Sequence, residues 1–359
     1  MPESIPFHES HLCTHLAVDV RTPLEYAEDH MPGAINVPLL TNEERVEIGT
    51  LYKQSGPHPA RVRGLELTAP KLPALVAQIA AAAADRPILV YCWRGGLRSK
   101  TVTAVLELTG YKAVQLAGGY KSYRNQVVAY FEHFCPPGPL VVLHGHTGIG
   151  KTIFLHLLRG DDSSAIIDLE GLADHRGSAF GMLGLEQTLT QKRYESLLWD
   201  AFRRVPAGVP IILEGESRRI GRVALPGDLY EVMRDGVKIW CEASMETRVR
   251  RLLEDYGRLE YREEIIASLD RIRKKLGSEK HAELSGYLQR WELAPFIREL
   301  CLSYYDRNYY KVLEWTPDMV LSLENYDEAA VTLQQYLKTF TEASIGARGK
   351  KRVQDDGDE

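Results

Sequence analysis

Two glycine-rich loops contain the residues of this sequence that are best suited to chemistry. The first is Tyr91–Ser99 (YCWRGGLRS), which follows the apolar run Pro87–Val90. The second is Gly145–Thr152 (GHTGIGKT), a complete G-x-x-x-x-G-K-[ST] pattern that follows Leu140–Leu143. The first loop can hold an anion against a reactive sulfur, and the second can hold phosphate groups without a nucleophile. Together they predict transfer of a group from an activated carrier to a second substrate.

Cys92 is the candidate catalytic residue of the first loop. A strand ending at Tyr91 and a helix opening near Ser99 would place the thiol at a helix N-terminus, where backbone N–H groups and the helix dipole attract anions. That potential favours the thiolate, which attacks electrophilic sulfur, selenium or phosphorus. Flanking arginines argue against the alternative of a buried structural cysteine. The residues predicted to hold the donor anion are Arg94, Gly95, Gly96, Arg98 and Ser99.

The second loop has the properties of a phosphate site. Its glycines let backbone amides face phosphate oxygens, Lys151 reaches the terminal charges, and the Thr152 hydroxyl can ligate Mg²⁺. Its place between a predicted strand and the apolar helix Ile153–Leu158 favours phosphate binding over a purely structural glycine turn. The residues predicted to bind phosphate are Gly145, Thr147, Gly148, Gly150, Lys151 and Thr152.

Further polar residues follow the next predicted strands, and any one of them alone is equally consistent with a surface salt bridge. Grouped at one sheet edge, they favour a site for phosphate or for a metal ion. They are Asp168, Glu170, Arg176, Glu214, Glu216, Ser217, Arg218 and Arg219. The sequence assigns no metal ligand set and predicts no tightly bound cofactor; Mg²⁺ is expected only together with a bound diphosphate.

The apolar periodicity around these loops predicts two α/β domains. Short apolar runs alternate with helical stretches from Ala17 to about Tyr130, and the breaker Cys135–Pro139 (CPPGP) marks the boundary. We expect a first domain over 1–135 and a second over 136–345 with a helical extension. A disordered tail is expected over 346–359. Strands of the second domain are predicted at Ser164–Ile167, Val209–Leu213, Val237–Cys241 and Met319–Leu321.

Composition narrows the class of protein. Its length of 359 residues indicates two domains. Its composition, 44% hydrophobic and 26% charged residues, is that of a globular protein. A net charge of -5 excludes whole-protein attraction to nucleic acid but not a local basic face. Five scattered cysteines without a C-x-x-C pair argue against a disulfide framework and a zinc site. With no signal peptide and no membrane-length apolar run, a cytoplasmic location is predicted.

The first domain resembles the rhodanese family. The resemblance rests on Val18–Tyr26 (VDVRTPLEY), His30–Pro38 (HMPGAINVP), the Cys92 loop and Leu116–Tyr120 (LAGGY), which match in order and spacing. In that family the loop cysteine carries a persulfide. Asp19 and Arg21 within the first motif are expected to tie loops together rather than to react.

The Cys92 loop departs from the usual rhodanese pattern in length. Arg98 stands six positions after Cys92, whereas rhodanese sulfurtransferases place the arginine five positions after. The longer loop is similar to the C-x5-R loop of cysteine phosphatases. It predicts either a phosphatase or a chalcogen donor that bears a phosphate group.

As a whole the chain resembles the tRNA 2-selenouridine synthase family, bacterial enzymes that join a rhodanese domain to a P-loop domain. The resemblance implies replacement of sulfur by selenium at C2 of the wobble 2-thiouridine of tRNA. It implies selenophosphate as donor, an S-geranylated intermediate made from geranyl diphosphate, and selenium carried on Cys92. It further implies that the P-loop holds a diphosphate, which need not belong to a nucleotide. Beyond the loops, the matching segments are Glu47–Gln54, Asp168–Gly181, Glu214–Gly221 and Tyr304–Tyr309.

Signals for RNA contact are weaker, and two rival functions stay open. The basic turns Arg248–Arg251 and Arg271–Lys275, with Tyr304–Tyr305 and Tyr309–Tyr310, could contact phosphates and stack on bases, although such patterns usually mark solvated or packed helix faces. The first rival is a rhodanese-type sulfurtransferase or cysteine phosphatase fused to a nucleotide-binding P-loop domain. The second is a regulatory P-loop module with a degenerate rhodanese domain.

Overall fold

The computed structural model describes residues 2–160, 164–175, 180, 188–307 and 315–339. The chain divides into two compact units. Unit 1 consists of Met1–His133 and Leu189–Asp200, and unit 2 consists of Phe134–Thr188 and Ala201–Glu359. The tail predicted over 346–359 and the candidate residue Arg176 lie outside the described residues.

Unit 1 alternates strands and helices along most of its length. Its elements are β1 (Ser4–Ile5), α1 (His11–Thr14), β2 (Leu16–Asp19), α2 (Pro23–Glu28), β3 (Ile35–Asn36), α3 (Asn42–Ser55), α4 (Pro57–Thr68), α5 (Leu72–Ala83), β4 (Ile88–Tyr91), α6 (Leu97–Leu108), β5 (Ala113–Leu116) and α7 (Gly119–Glu132). The first ten residues of α10 (Gln191–Arg203) also belong to this unit.

The sheet of unit 1 is parallel and has the order β1-β5-β4-β2-β3. Strand β4 lies in the middle of the sheet, and all four of its residues are buried, as expected of a continuous apolar strand covered on both faces. Helices α5 and α6 contribute Ile79 and Val102 to the same core. Because the cysteine loop follows β4 directly, a rigid central strand positions its first residue.

Unit 2 contains a second parallel sheet and a helical extension. Its elements are β6 (Leu140–His144), α8 (Lys151–Leu157), β7 (Ala165–Ile167), α9 (Leu169–Leu172), the end of α10, β8 (Ile211–Glu214), β9 (Arg219–Ile220), β10 (Val223–Ala224), α11 (Gly227–Asp235), β11 (Val237–Glu242), α12 (Met245–Tyr256), α13 (Arg262–Leu276), α14 (Ser278–Gln289), α15 (Leu293–Leu300), β12 (Met319–Ser322) and α16 (Tyr326–Leu337).

The sheet of unit 2 has the order β12-β11-β6-β8-β7, with every neighbouring pair parallel. Strand β6, which leads into the phosphate loop Gly145–Thr152, is central, and the acids at the end of β8 stand beside it. Strands β9 and β10 form a separate antiparallel pair after β8. This topology brings the ends of β6, β8 and β7 to one edge of the sheet.

Helices α12–α15 form a helical subdomain with its own apolar core. Buried residues from each of the four helices, such as Leu252, Leu269, Leu284 and Phe296, pack into one cluster. A π-helical turn at Cys301–Tyr305 continues α15. The predicted helical extension is therefore observed within the described residues.

The strands predicted for unit 2 are all present, with small shifts in their ends. Strand β8 begins at Ile211 rather than Val209, because the Val209 amide donates to the Pro206 carbonyl in a turn (3.3 Å). None of the described helices combines the length and the apolar character that crossing a bilayer requires.

Candidate functional site

Cys92 lies at the point where strand β4 gives way to helix α6. The residue is 3% exposed, and its Sγ accepts a hydrogen bond from the Gly96 amide at 3.2 Å. The Ser99 hydroxyl lies 3.1 Å from the same sulfur. Helix α6 begins at Leu97, so Cys92 faces a helix N-terminus as the sequence predicted. An amide and a hydroxyl therefore both lie within hydrogen-bonding distance of the sulfur.

The cysteine loop, Cys92–Ser99, is closed by the turn after β5. The Tyr120 amide donates to the Cys92 carbonyl at 2.8 Å, and Gln115 Nε2 donates to the Ser99 hydroxyl at 2.8 Å. Gly119 has a φ of +59°, and a side chain there would clash with the Cys92 carbonyl. The LAGGY motif therefore braces the loop, because only glycine allows the two backbones to approach so closely.

Arg98 is held by a carboxylate of the first motif. Its guanidinium donates to the two Glu25 carboxylate oxygens at 2.6 and 3.2 Å. Glu25 also completes a capping box with Thr22 at the start of α2. Burial opposes ionisation of Glu25, but the hydrogen bond and charge of Arg98 prevail and lower the pKa of its carboxyl. Arg98 is thus fixed beside the loop, whereas Arg94 is exposed.

A buried ion pair packs against the segment that closes the cysteine loop. Arg21 and Asp19 are fully buried, and Arg21 donates from Nη2 to Asp19 Oδ2 at 2.6 Å. The Arg21 guanidinium also stands 4.0 Å from the centre of the Tyr120 ring. As the sequence predicted, this pair ties strand β2 to a neighbouring segment, because Arg21 Nη2 also donates to the Asp29 carbonyl at 2.6 Å.

The phosphate loop of unit 2 has the backbone conformation that anion binding requires. Gly145, Gly148 and Gly150 all have positive φ values, of +147°, +82° and +82°. Such a backbone turns successive amides toward one point. Lys151 lies across the loop, with Nζ donating to the Gly145 carbonyl at 3.0 Å, and the Thr152 hydroxyl donates to Glu170 Oε2 at 3.2 Å.

Three acids gather beside this loop: Glu170, Glu214 and Glu216. Glu214 is fully buried at the end of β8; burial and the charges of Asp168 and Glu170 raise the pKa of its carboxyl to about 8. Burial and the charge of Glu170 raise the pKa of Glu216 well above its usual range. The sequence placed these acids at one sheet edge. The raised pKa values of Glu214 and Glu216 mark a site where added positive charge is favourable.

Two arginines of α12 hold the outer side of the phosphate loop. Arg248 Nε donates to the Thr147 carbonyl at 3.0 Å, and Arg251 Nη1 donates to the Ile149 carbonyl at 2.6 Å. Arg248 also forms a bidentate pair with Asp306 at 2.9 and 2.7 Å. Both arginines are buried, so of the two interpretations of the Arg248–Arg251 turn, the packed helix face describes these two side chains. Their charges face the loop backbone.

Comparison with known proteins identifies the family. Residues 9–126 match the model of the rhodanese-like domain, and 138–340 match that of the tRNA 2-selenouridine synthase AAA domain. The tRNA 2-selenouridine synthase of Pseudomonas syringae pv. syringae (strain B728a) is 35% identical over 291 residues, 76% of this chain and 78% of that protein. That of Cupriavidus pinatubonensis (strain JMP 134 / LMG 1197) is 36% identical over 323 residues, which are 81% of this chain and 87% of that protein. The chain belongs to the tRNA 2-selenouridine synthase family.

Membership of the tRNA 2-selenouridine synthase family confirms the predicted fold class, a rhodanese-like domain followed by a P-loop-like domain. Among solved structures, the N-terminal domain of a Clostridium difficile 630 protein described as ATP/GTP binding is 42% identical to this chain. It matches with a TM-score of 0.34, and the match covers 35% of this chain and 99% of that domain.

Within this member of the tRNA 2-selenouridine synthase family, the other predicted residues have local contacts. Asp168 caps α9 through the Gly171 amide at 2.7 Å and pairs with His156 at 2.5 Å. Ser217, Arg218 and Arg219 are exposed on the segment that follows β8, and the Ser217 hydroxyl donates to the Arg219 carbonyl at 2.7 Å. The described residues contain no group of three His, Cys, Asp or Glu side chains arranged to hold a metal ion.

A narrow apolar pocket in the helical subdomain begins at the phosphate loop, a feature that the sequence analysis missed. Thr147 forms part of its wall, and every other lining residue is apolar or aromatic except Cys301. Leu252 of this wall also lies directly against Gly148. The lining residues are Thr147, Phe180, Leu252, Tyr256, Ile265, Leu293, Phe296, Ile297, Leu300, Cys301 and Tyr305. The helical repeat of apolar residues could have indicated a core there, but not a cavity.

Proposed function

We propose that this protein replaces sulfur by selenium at C2 of the wobble 2-thiouridine of tRNA. Geranyl diphosphate first alkylates the sulfur, and selenium from selenophosphate then displaces the geranylated sulfur as geranylthiol. The proposal rests on the family of the chain and on the two anion-binding loops in its two units. The observation that favours a prenyl diphosphate over a nucleotide is the apolar pocket that starts at Thr147 of the phosphate loop.

In the alkylation step, unit 2 would hold both ends of an amphiphilic substrate. The loop amides and Lys151 bind the diphosphate. The apolar pocket, about 40 Å³ as it stands, widens to receive the hydrocarbon chain, which favours apolar surroundings. The thiouridine sulfur attacks C1 of the geranyl group, the C1–O bond breaks, and its electron pair leaves with the diphosphate. Donors placed around the leaving group stabilise the charge that develops on it.

Mg²⁺ fits the oxygen donors beside this loop. The Thr152 hydroxyl lies within hydrogen-bonding distance of the Glu170 carboxylate, so both oxygens could reach one ion. Mg²⁺ is usually held by one or two protein oxygens together with substrate phosphates and water. Bound there with the diphosphate, the ion would supply positive charge for the leaving group. It would also lower the pKa of the nearby acids, because a cation favours the carboxylate form.

In the exchange step, we propose that Cys92 carries the selenium as a selenylsulfide. Its S–Se bond forms as the Se–P bond of selenophosphate breaks, and water takes up the phosphorus as phosphate. Selenium loses two electrons in this step, so a low-molecular-weight disulfide is required and becomes two thiols. At delivery two thiols return those electrons, selenium bonds to C2, and geranylthiol leaves. The full cycle is therefore redox-neutral.

A second route follows from the six-residue spacing between Cys92 and Arg98, which suits a tetrahedral phosphate. The Cys92 thiolate would attack phosphorus, forming an S–P bond as the Se–P bond breaks and selenide leaves. Water would then release phosphate, with no oxidant involved. Mass spectrometry of Cys92 peptides separates the routes, because only a selenium adduct has the broad isotope envelope of that element.

The test of the cysteine is the substitution Cys92→Ala. We expect it to abolish 2-selenouridine formation, because the nucleophile is lost, while geranylation of thiolated tRNA persists. Mass spectrometry of nucleosides from tRNA incubated with protein, geranyl diphosphate and selenophosphate measures both products. Cys13→Ala, at an exposed cysteine of the same unit, is the matched control. Selenouridine made by the Cys92 variant would refute the assigned role.

The test of the phosphate loop is Lys151→Ala. We expect weaker binding of geranyl diphosphate and a loss of geranylation of at least tenfold, since a charged hydrogen bond to the leaving group disappears. Isothermal titration with inorganic diphosphate and Mg²⁺ reports the affinity separately from the chemistry. Lys338→Ala, at an exposed lysine directly after α16, is the control. Normal geranylation in the Lys151 variant would contradict the proposed site.

A further inference from the structure

We propose that a second pocket of unit 2, at the ends of β11 and β12, binds an unstacked pyrimidine base of the RNA substrate. This inference rests on the proposed function, because it assigns the place where the acceptor base meets the phosphate loop. The pocket is separate from the apolar pocket described above, and it is lined by both aromatic and polar side chains.

Aromatic rings form much of the wall. Trp240 on β11 and Trp315 are both partly exposed, and their ring centres lie 6.3 Å apart with planes inclined by 67°. His146 stands against Trp240, with ring centres 5.2 Å apart. The pocket has a volume of about 720 Å³, within the usual range for small-molecule sites. Bases removed from their stack commonly lie on such rings.

Polar groups at the rim match the edge of a pyrimidine. Glu242 accepts a hydrogen bond from Trp240 Nε1 at one oxygen, at 3.1 Å, which leaves its second oxygen able to accept from a base N3–H. Ser322 supplies a hydroxyl that can donate to a base carbonyl. The Lys238 ammonium stands 5.9 Å from the centre of the Trp315 ring.

The position of the pocket relates it to the alkylation step. His146 lines the aromatic pocket, and the next residue, Thr147, lines the apolar pocket. Two neighbouring residues of the phosphate loop therefore border two cavities of different chemistry. A base in one and a prenyl chain in the other would both reach the loop where the diphosphate leaves.

The charge of the pocket favours a base of RNA over a free nucleotide. Glu242 and Glu324 both line it, and Glu324 accepts hydrogen bonds from the Ser244 amide and from the Thr247 hydroxyl. These bonds lower the pKa of Glu324 and keep it ionised. Two carboxylates repel the phosphates that a mononucleotide would bring into the pocket, whereas a base projecting from an RNA chain leaves its phosphates outside.

The test measures binding of an anticodon stem-loop that carries 2-thiouridine at the wobble position, and of the same RNA lacking that base. We expect Trp240→Ala to weaken binding of the intact RNA about tenfold or more, as loss of a stacking partner does. The RNA without the base should bind wild type and variant equally. Trp240→Phe should restore most of the affinity, and Tyr52→Ala, at an exposed aromatic of unit 1, is the control.

Three results would overturn the inference. The first is that Trp240→Ala loses the same affinity for the RNA with the base as for the RNA without it, while its affinity for diphosphate is unchanged. The second is unchanged RNA affinity in that variant and in Trp315→Ala. The third is a loss confined to uridine monophosphate or ATP, which would assign the pocket to a free nucleotide. Because these are binding measurements, they are independent of whether wild-type protein makes geranylated or selenium-containing tRNA, the outcome on which the proposed function depends.

Discussion

At the scale of single residues, the most unusual chemistry outside the cysteine belongs to the buried acid Glu214. Its Oε2 accepts from the Leu169 amide at 3.0 Å, whereas its Oε1 is buried and has no hydrogen-bond partner among the described residues. A carboxylate in that setting is unstable, because burial removes water and nearby acids add like charge. Glu214 therefore keeps its proton in the folded protein at pH values where the unfolded chain has lost it. The free energy of unfolding must then depend on pH.

The sign of that dependence follows from the shift. The carboxyl titrates near 4.5 in the unfolded chain and at about 8 when folded. Between these values only the unfolded state loses the proton, so this residue reduces stability as pH rises from about 4.5 to about 8. The total is on the order of several kcal/mol. We expect Glu214→Gln to remove this dependence, so that the variant gains stability relative to wild type at pH 8 compared with pH 5.

Hydrogen exchange of strands β6 and β8 at the two pH values measures the effect in unit 2. Glu231→Gln, at an exposed acid on α11, is the control, because an exposed acid should leave the pH dependence as in wild type. Identical pH dependence in wild type and Glu214→Gln would contradict the assignment.

At the scale of elements, the phosphate loop depends on helix α12. A loop whose amides converge on an anion must turn its carbonyls outward, and buried carbonyls need donors. Arg248 and Arg251 supply them from one face of α12. Arg251 also donates to the Leu323 carbonyl at 2.7 Å and stands 4.2 Å from the centre of the Tyr326 ring. The two arginines thus hold the backbone of the phosphate loop in place.

We expect Arg251→Met to weaken binding of Mg²⁺ and diphosphate although no phosphate contact is removed. Two buried carbonyls would lose a charged donor, at a cost of about 1.5–3 kcal/mol per bond. Titration calorimetry and thermal unfolding measure affinity and stability. Arg250→Met, at the exposed neighbouring position, is the matched control and should behave as wild type. Unchanged affinity in Arg251→Met would show that the loop holds its shape alone.

The same helix shows how far the sequence predicts the site. Strands β4 and β6 and their loops were predictable, because apolar runs followed by glycines constrain the local backbone. Arg248 and Arg251 looked like a solvated basic turn, since periodicity does not reveal that one face of a charged helix packs on backbone carbonyls. Likewise, the pairing of Arg98 with Glu25 joins residues 73 positions apart and left no local signal.

At the scale of the whole molecule, the chain enters unit 1 twice. Residues 189–200, which follow the phosphate loop in sequence, belong to unit 1 with α10 as their only helix among the described residues. Trp199 is fully buried there against Tyr123 and Phe7, with ring centres 5.5 and 6.2 Å apart. Ser196 donates to Asp29, the acid that also accepts from Tyr120 next to the cysteine loop. The core of unit 1 therefore requires a segment encoded far from it.

We expect Trp199→Ala to destabilise unit 1 by about 3–5 kcal/mol, because a large buried ring leaves a cavity. A chain of two units need not unfold in one step, so local opening is the suitable measurement. In hydrogen exchange, peptides of β4 and α7 should lose protection, while those of β6 and β8 keep it. Leu108→Ala, at an exposed leucine of unit 1, should change neither set. Loss of protection in β6 and β8 alone would show that the tryptophan supports unit 2 instead.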